Sequence, residues 1–337
     1  MKSLITIVVP CYNEEAVLPL FMDALKPVRK ALDLGKCEDR DIKFSPCGTE
    51  LVFIDDGSTD KTLEILRKFN TDDPTVRYLS FSRHFGKEAG IYAGLREAKG
   101  DYVVLMDADL QHPVEFIPEM YSILSAGKDF DTGKEASYAG YDSVAMYRRS
   151  RKGEKRIRSF FSKRFYRMIN RISKINLIDG ATDYRMMTRQ MTDAVLQLQE
   201  YNRFTKGIFN WVGFSTCWLP YDNVERKAGR TKWSFGSLIR YSFEGMFAFS
   251  TTPLTVSFSL GLIFCIIALI YAVYTVVRTI IWGDPVAGFP SLFCMILFFG
   301  GVQLLFLGVF GQYLSKMYLE VKRRPVYLIK EKSGQTD

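Results

Sequence analysis

Over the first hundred residues, short apolar runs alternate with stretches whose apolar residues recur at helical spacing. Residues 5–9 predict a strand, and the amphipathic stretch behind them a helix to about Leu32. Residues 33–48 are polar and contain Gly35, Pro46 and Gly48, which predicts a loop or insertion. Residues 50–54 predict a second strand, followed by a helix to about Asn70 with Ser58 or Thr59 placed to cap it. A third strand over 76–80, a helix from about Lys87 to Ala98 and a fourth strand over 102–106 complete the series. Strands alternating with helices predict an α/β domain built on a parallel sheet.

After residue 244 the pattern changes. Residues 245–277 carry no charge, nor do residues 285–315. Each stretch exceeds the roughly 20 apolar residues that cross a bilayer, and both are too long for ordinary core helices. The link over 278–284 holds one charge of each sign, Arg278 and Asp284. Before the first stretch stand Arg226, Lys227, Arg230, Lys232 and Arg240; after the second stand Lys316, Lys322, Arg323 and Arg324. Positive flanks stay in the cytoplasm, so the link is expected outside and both termini inside. The apolar run near the N-terminus is too short for a secretory signal and reads as a strand. The chain thus divides into a cytoplasmic domain over 1–225, a juxtamembrane segment over 226–250, two transmembrane helices within 251–318 and a basic tail over 319–337.

Charge sharpens this division. The formal net charge is +8, and residues 148–174 hold twelve Lys or Arg against one acid, Glu154. Phe161, Phe165, Met168, Ile169 and Ile172 recur there at helical spacing, so a basic amphipathic helix near 150–174 is expected. Such a helix either packs on the domain or lies in the membrane interface, and the neighbouring apolar hairpin favours contact with membrane lipids. The same hairpin accounts for the basic charge without nucleic acid. Six scattered cysteines include no C-x-x-C pair, and two histidines exclude a histidine-rich metal centre.

The chemistry collects where strands end. Asp107 and Asp109 close the fourth strand; Asp55, Asp56 and Asp60 close the second; Tyr12, Asn13, Glu14 and Glu15 close the first. Ligands of open α/β sheets bind at such ends. Two acids one residue apart are either solvated loop charges or holders of a divalent cation that in turn holds a diphosphate. Several carboxylates at one edge repel, which favours the cation. Neither G-x-G-x-x-G nor G-x-x-x-x-G-K-[ST] occurs, against a dinucleotide dehydrogenase or a P-loop NTPase.

Val8-Val9-Pro10-Cys11-Tyr12-Asn13-Glu14, Asp55-Asp56-Gly57-Ser58-Thr59-Asp60 and Asp107-Ala108-Asp109-Leu110-Gln111-His112-Pro113 together resemble the inverting family 2 glycosyltransferases. Thr182-Asp183-Tyr184-Arg185 and Arg226-Lys227-Ala228-Gly229-Arg230-Thr231-Lys232-Trp233-Ser234 continue the match. With two C-terminal spans, the whole chain resembles bacterial polyprenyl-phosphate glycosyltransferases, relatives of dolichol-phosphate mannose synthase and the bactoprenol glucosyltransferases. The Q-x-x-R-W motif of processive polysaccharide synthases is absent.

The resemblance implies an A-type glycosyltransferase fold with a mostly parallel Rossmann-like sheet, interfacial amphipathic helices and a transmembrane hairpin. It places the enzyme in the bacterial cytoplasmic membrane. It implies that Pro10, Tyr12, Glu14 and one or both of Asp55 and Asp56 hold the nucleoside. Asp107 and Asp109 would serve the ribose-diphosphate and Mg²⁺ or Mn²⁺, with Asp109 the direct ligand and Gln111 beside them at metal or sugar. Lys87 either sits near the nucleotide or is a surface lysine at a helix start. His112 reads as a turn residue. Arg148, Arg158 and Arg226 fall where the family contacts the acceptor phosphate.

Asp183 takes the place of the family's catalytic base. A phosphate monoester, however, has a second pKa of about 6 and needs little deprotonation near neutral pH. Asp183 then orients Arg185 or a sugar hydroxyl, or simply caps a helix. The expected reaction is inverting transfer from UDP-glucose or a related UDP- or GDP-sugar to undecaprenyl or a similar polyprenyl phosphate. Extension of a glycolipid or surface polymer, and a non-enzymatic membrane scaffold, are the alternatives. Assembly into a homo-oligomer is left open.

Overall fold

The computed structural model of the protein describes residues 2–37, 40–126, 140–149, 178, 180–222, 252–282 and 288–334. Two compact units divide the chain: Met1–Leu238 with Pro325–Asp337, and Ile239–Arg324.

In the first unit the predicted alternation is present. β1 (Leu4–Cys11) leads to α1 (Leu18–Leu34), β4 (Gly48–Asp55) to α2 (Thr62–Asp72), and β5 (Val76–Phe81) to α3 (Lys87–Glu97) and β6 (Tyr102–Leu105). Between α1 and β4 a two-stranded hairpin, β2 (Lys36–Cys37) and β3 (Ile42–Lys43), fills the polar insertion. Arg40 ties this insertion to α4 (Ile117–Ala126): it pairs with Glu119 and lies 3.8 Å over the Phe116 ring. The remaining elements are β7 (Ser143–Arg148), β8 (Ala181–Thr188), α5 (Arg189–Gln197), α6 (Thr205–Trp211), β9 (Thr216–Tyr221) and β10 (Ile329–Lys332).

One sheet runs β10-β5-β4-β1-β6-β8-β7-β9. β5, β4, β1 and β6 are parallel, so their carboxyl ends share an edge. β8 runs antiparallel to β6, which delivers the start of β8 to that same edge. Buried on both faces, β1 and β4 carry near-continuous apolar runs, as the central strands of a parallel sheet require. One layer packs Phe21, Leu25 and Leu32 of α1 against Ile7, Val9 and Phe53. On the other face α3 lies close to the sheet. A Cβ on Gly94 would stand 2.1 Å from Val8 Cγ1, so overpacking there would cost about 1–3 kcal/mol.

Two details depart from the sequence reading. Neither Ser58 nor Thr59 caps α2; the N-cap is Lys61, without a side-chain capping bond. The Ser58 hydroxyl instead accepts from the Asn13 N–H at 2.9 Å, because the first strand's loop lies against the second's. The chain beyond the helices also contributes more than a basic tail, since β10 pairs antiparallel with the outer edge of β5.

The second unit holds α7 (Thr252–Trp282) and α8 (Phe289–Lys322). Both contain segments long and apolar enough to cross a membrane: Pro253–Tyr271, mean hydropathy 2.4, and Phe298–Lys322, mean hydropathy 1.3. Phe264 meets Phe298 edge-on, with centroids 5.7 Å apart. Many large apolar side chains of both helices stay exposed, Phe258 by 73% and Leu304 by 71%. The expected basic helix near 150–174 and the juxtamembrane segment 226–250, with Arg158 and Arg226, lie outside the described residues.

Candidate active site

The shared strand edge forms a crevice whose two ends are built differently. At one end, the turns after β1 and β4 are stitched together. Thr59 N–H donates to Asn13 Oδ1 at 2.8 Å, Glu14 N–H to Thr62 Oγ1 at 2.9 Å, and Lys61 N–H to Glu15 Oε2 at 3.0 Å. Asn13 adopts φ 53°, a left-handed conformation that asparagine tolerates. Gly57 is at φ 68°, and a Cβ there would stand 2.5 Å from the Arg83 backbone; glycine lets this turn close on the loop after β5.

Asp55 and Asp56 are buried beneath this weave. Asp55 accepts from the Ser58 N–H at 3.0 Å and the Ser80 hydroxyl at 2.6 Å. Asp56 accepts from the Phe85 and Gly86 N–H groups at 2.7 and 2.9 Å, and its Oδ2 lies 2.8 Å from His84 Nδ1. Burial pushes the Asp56 carboxyl above its ordinary pKa, and the Phe85 N–H only partly offsets this. Tyr12 stacks on His84 with ring centroids 4.2 Å apart. Pro10 lies at the end of β1 against α3, where Gly90 leaves its ring room: a Cβ on that glycine would be 3.3 Å away. Cys11, beside them, is buried, and desolvation holds it as a neutral thiol.

At the other end the contacts are ionic. The β6–β8 register sets Leu105 opposite Arg185; continued two residues, it sets Asp107 opposite Asp183. Lys87, first residue of α3, bridges them, with Nζ 2.7 Å from Asp107 and 2.8 Å from Asp183. Desolvation alone pushes both carboxyls up, but the Lys87 ammonium overrides it and holds both below the usual range. The two acids in turn raise the lysine against its own desolvation. Lys206 of α6 donates to the Ala181 carbonyl at 3.1 Å and adds to the depression of Asp183. Arg185 is 2% exposed, with its guanidinium 3.8 Å over Phe209, and burial lowers its pKa to about 10.

The loop after β6 turns sharply. Leu110 takes φ 58°, and Gln111 N–H donates to Asp109 Oδ1 at 3.1 Å. Asp107 N–H donates to His112 Nδ1 at 3.2 Å, and His112, buried, stacks on Tyr184. Desolvation lowers the His112 pKa, so the ring is a neutral acceptor that fixes this turn. Arg148 reaches the same loop, its Nη2 3.4 Å from Gln111 Oε1 and its Nε donating to the Tyr221 hydroxyl at 3.1 Å. Among the described residues no three His, Cys, Asp or Glu side chains form a ready-made metal cage.

Residues 6–196 match the Glycosyl transferase family 2. The chain belongs to that family. The CsbB protein of Bacillus subtilis is 40% identical over 330 residues, covering 98% of this chain and 92% of that one. The bactoprenol glucosyl transferase of Shigella phage SfII is 38% identical over 327 residues, 97% of each chain. Among solved structures, glucosyl-3-phosphoglycerate synthase from Mycobacterium tuberculosis, in complex with Mn²⁺, UDP and phosphoglyceric acid, aligns with TM-score 0.44 and 17% identity over 73% of this chain and 78% of that one.

In this family 2 transferase the crevice thus gathers Pro10, Tyr12, Asp55 and Asp56 at one end and Lys87, Asp107, Asp109, Gln111, Arg148 and Asp183 at the other. Glu14 lies in the first turn, and its N–H joins the weave through Thr62. Sequence reasoning missed the wall supplied by α6. There Glu88, beside Lys87, accepts from the Thr205 N–H at 3.0 Å and pins the start of α6 to that of α3. Burial raises Glu88 to a pKa of about 7. It also missed Tyr221, which holds Arg148. The only local signal was the polar cluster Arg203, Thr205 and Lys206 just ahead of the apolar Gly207-Ile208-Phe209.

Proposed function

We propose that this transferase moves a sugar from a nucleotide-sugar donor to a polyprenyl phosphate at the cytoplasmic membrane surface, with inversion at the anomeric carbon. The observation that carries the reading is the meeting, at one sheet edge, of a donor-type carboxylate loop and a cationic cluster in a chain that also bears two membrane-length helices. The bactoprenol glucosyl transferases, alike over nearly their whole length, support this acceptor class.

Asp55, Asp56, Pro10 and Tyr12 would hold the nucleoside in a rigid slot. Asp109, with Asp107 beside it, would hold Mg²⁺ or Mn²⁺; such cations take one or two carboxylates and complete their shell with phosphate oxygens and water. The turn fixed by Gln111 and His112 suits this, since it sets two hard oxygen donors one residue apart at the strand end. The bound metal offsets charge on the departing nucleoside diphosphate.

Asp183, held ionised by Lys87 and Lys206, is a weak base. The acceptor phosphate, largely dianionic near neutral pH, requires none. Asp183 therefore orients Lys87 and Arg185, and Arg148 positions the incoming phosphate against the repulsion of the carboxylates. Arg158 and Arg226 are proposed to extend this cationic path, and residues 150–174 to lie against membrane lipid.

The same-side placement of the flanks has support in β10. That strand pairs with β5 of the catalytic sheet, which favours an exit from the hairpin on the side of entry. A cysteine placed at Asp284 is expected to label from outside intact cells; labelling of the tail from outside would overturn the orientation.

The reaction is tested by incubating the purified full-length protein with a panel of UDP- and GDP-sugars, with undecaprenyl phosphate or undecaprenol. Nucleoside diphosphate release that requires the phosphate, with a lipid-linked sugar of inverted configuration, is expected. Transfer to a glycolipid or sugar alcohol but not to the lipid phosphate would favour the extending transferase. No turnover with any donor would favour a scaffold.

A further inference from the structure

The chain beyond α8 is built into the catalytic sheet. Ile329, Glu331 and Lys332 pair with Phe81, Ser80 and Leu79 of β5, and Ser82 N–H donates to the Leu328 carbonyl at 2.9 Å. Glu331 accepts from both Arg67 Nε and Nη2, at 2.8 and 2.6 Å, and from the Tyr78 hydroxyl at 2.6 Å. Lys332 pairs with Glu97 at 2.7 Å. Tyr327 stacks flat on Phe81, centroids 4.9 Å apart and planes 19° apart. Val326 and Tyr327 pack with Phe85 against the cluster of Val52, Ile54, Leu79 and Phe81.

What this segment braces is the nucleoside end of the crevice. Phe81 meets Phe85 edge-on at 5.7 Å, and the Phe85 and Gly86 N–H groups hold Asp56. Ser80, on the strand that β10 covers, donates to Asp55. Without β10, β5 would be the outer strand of the sheet; its Ser80 holds Asp55, and the loop at its end holds Asp56. An uncovered edge strand with its trailing loop is the part of a sheet that opens most readily.

We infer that residues 325–334 are a working part of the donor site, with Tyr327 a positioning residue that holds Phe81, Phe85 and so Asp56 in the nucleoside-binding form. The inference rests on the reading that Asp55 and Asp56 hold the nucleoside. The loop 83–86 then keeps its shape only while the segment following the last membrane helix is docked, which joins donor binding to a correctly threaded hairpin.

The test uses the full-length chain in detergent, with UDP and Mn²⁺ as the probe. UDP affinity by calorimetry and amide hydrogen exchange over residues 81–86 are measured for the parent, Tyr327→Ala, Tyr327→Phe, Glu331→Ala and Asp56→Ala. Losing a stacked aromatic pair and its buried area is expected to weaken UDP about tenfold in Tyr327→Ala and to speed exchange at 83–86. Tyr327→Phe keeps the ring and should bind within about twofold of the parent. Glu331→Ala, which leaves the Tyr327–Phe81–Phe85 stack in place, should shift both readouts the same way but less. Loss of UDP binding in Asp56→Ala alongside parental affinity and exchange in Tyr327→Ala and Glu331→Ala would overturn the inference and leave the donor-site reading intact. Parental affinity in Asp56→Ala would overturn both.

Discussion

The two ends of the crevice use the same residue type in opposite ways. At the end proposed to hold the nucleoside, Asp55 and Asp56 are buried and bonded mainly by hydroxyl and backbone N–H groups. At the transfer end, Asp107 and Asp183 are only partly buried and face Lys87. Bonds from fixed backbone donors make a rigid mould, suited to an uncharged base and ribose that arrive without net charge of their own. A flexible lysine is an exchangeable counter-ion, suited to the proposed role of this end in holding metal and phosphate groups. In the proposed reading, where a carboxylate finds its partners separates recognition from chemistry along one sheet edge.

The comparison breaks most visibly at Asp109. Asp109→Asn removes the proposed metal ligand's charge and should cut turnover about a hundredfold or more, as expected when a metal contributes several kcal/mol. Full activity in this variant, or in EDTA, would remove the metal role. A smaller effect is expected at Lys87. Lys87→Met leaves Asp107 and Asp183 with their desolvation uncompensated, so both pKa values should rise. Since both carboxyls are held low with the lysine present, the acid limb of the pH–rate profile should move to higher pH in the variant. An unmoved limb would show that the ion pair does not govern the site.

Smallest is the effect at Glu88, whose bond to Thr205 holds α6 against α3. Its folded pKa of about 7 exceeds the ordinary 4.5, so the folded state favours the protonated acid. That stabilisation is complete below pH 4.5 and is lost as pH rises through about 7. Glu88→Gln keeps an acceptor for Thr205 and cannot ionise. Its melting temperature should gain on the parent's as pH goes from 4.5 to 8, by a few degrees (about 2–4 °C per kcal/mol for a domain of this size). A constant difference across that range would contradict the buried acid.

Local pattern carried most of the fold. Strands β1, β4, β5 and β6 are apolar runs closed by polar clusters, and the clusters were visible as Tyr12–Glu15, Asp55–Asp60 and Asp107–Gln111 because each is contiguous. The rest depends on pairings between distant segments. That β8 runs antiparallel beside β6, so that Asp183 faces Asp107, has no signature in alternation alone; motif resemblance singled out Asp183, and the register explains why. Lys206 reaches the site on a helix of seven residues, too short for periodicity to mark. β10 is Ile-Lys-Glu-Lys, charged like a solvated tail, yet its charges meet Arg67, Tyr78 and Glu97 across more than two hundred residues of chain.

The most direct test of the division of labour sets Asp109→Asn against Arg148→Ala in one matrix of two ligands. Affinity for UDP with Mn²⁺ and the apparent requirement for undecaprenyl phosphate are measured for each variant. Arg148 bonds to Gln111 and Tyr221, at the opposite end of the site from Asp55 and Asp56. Arg148→Ala should therefore raise the lipid-phosphate requirement and leave UDP affinity near the parent's, while Asp109→Asn does the reverse. Weakened UDP binding with unchanged lipid kinetics in Arg148→Ala would contradict the account.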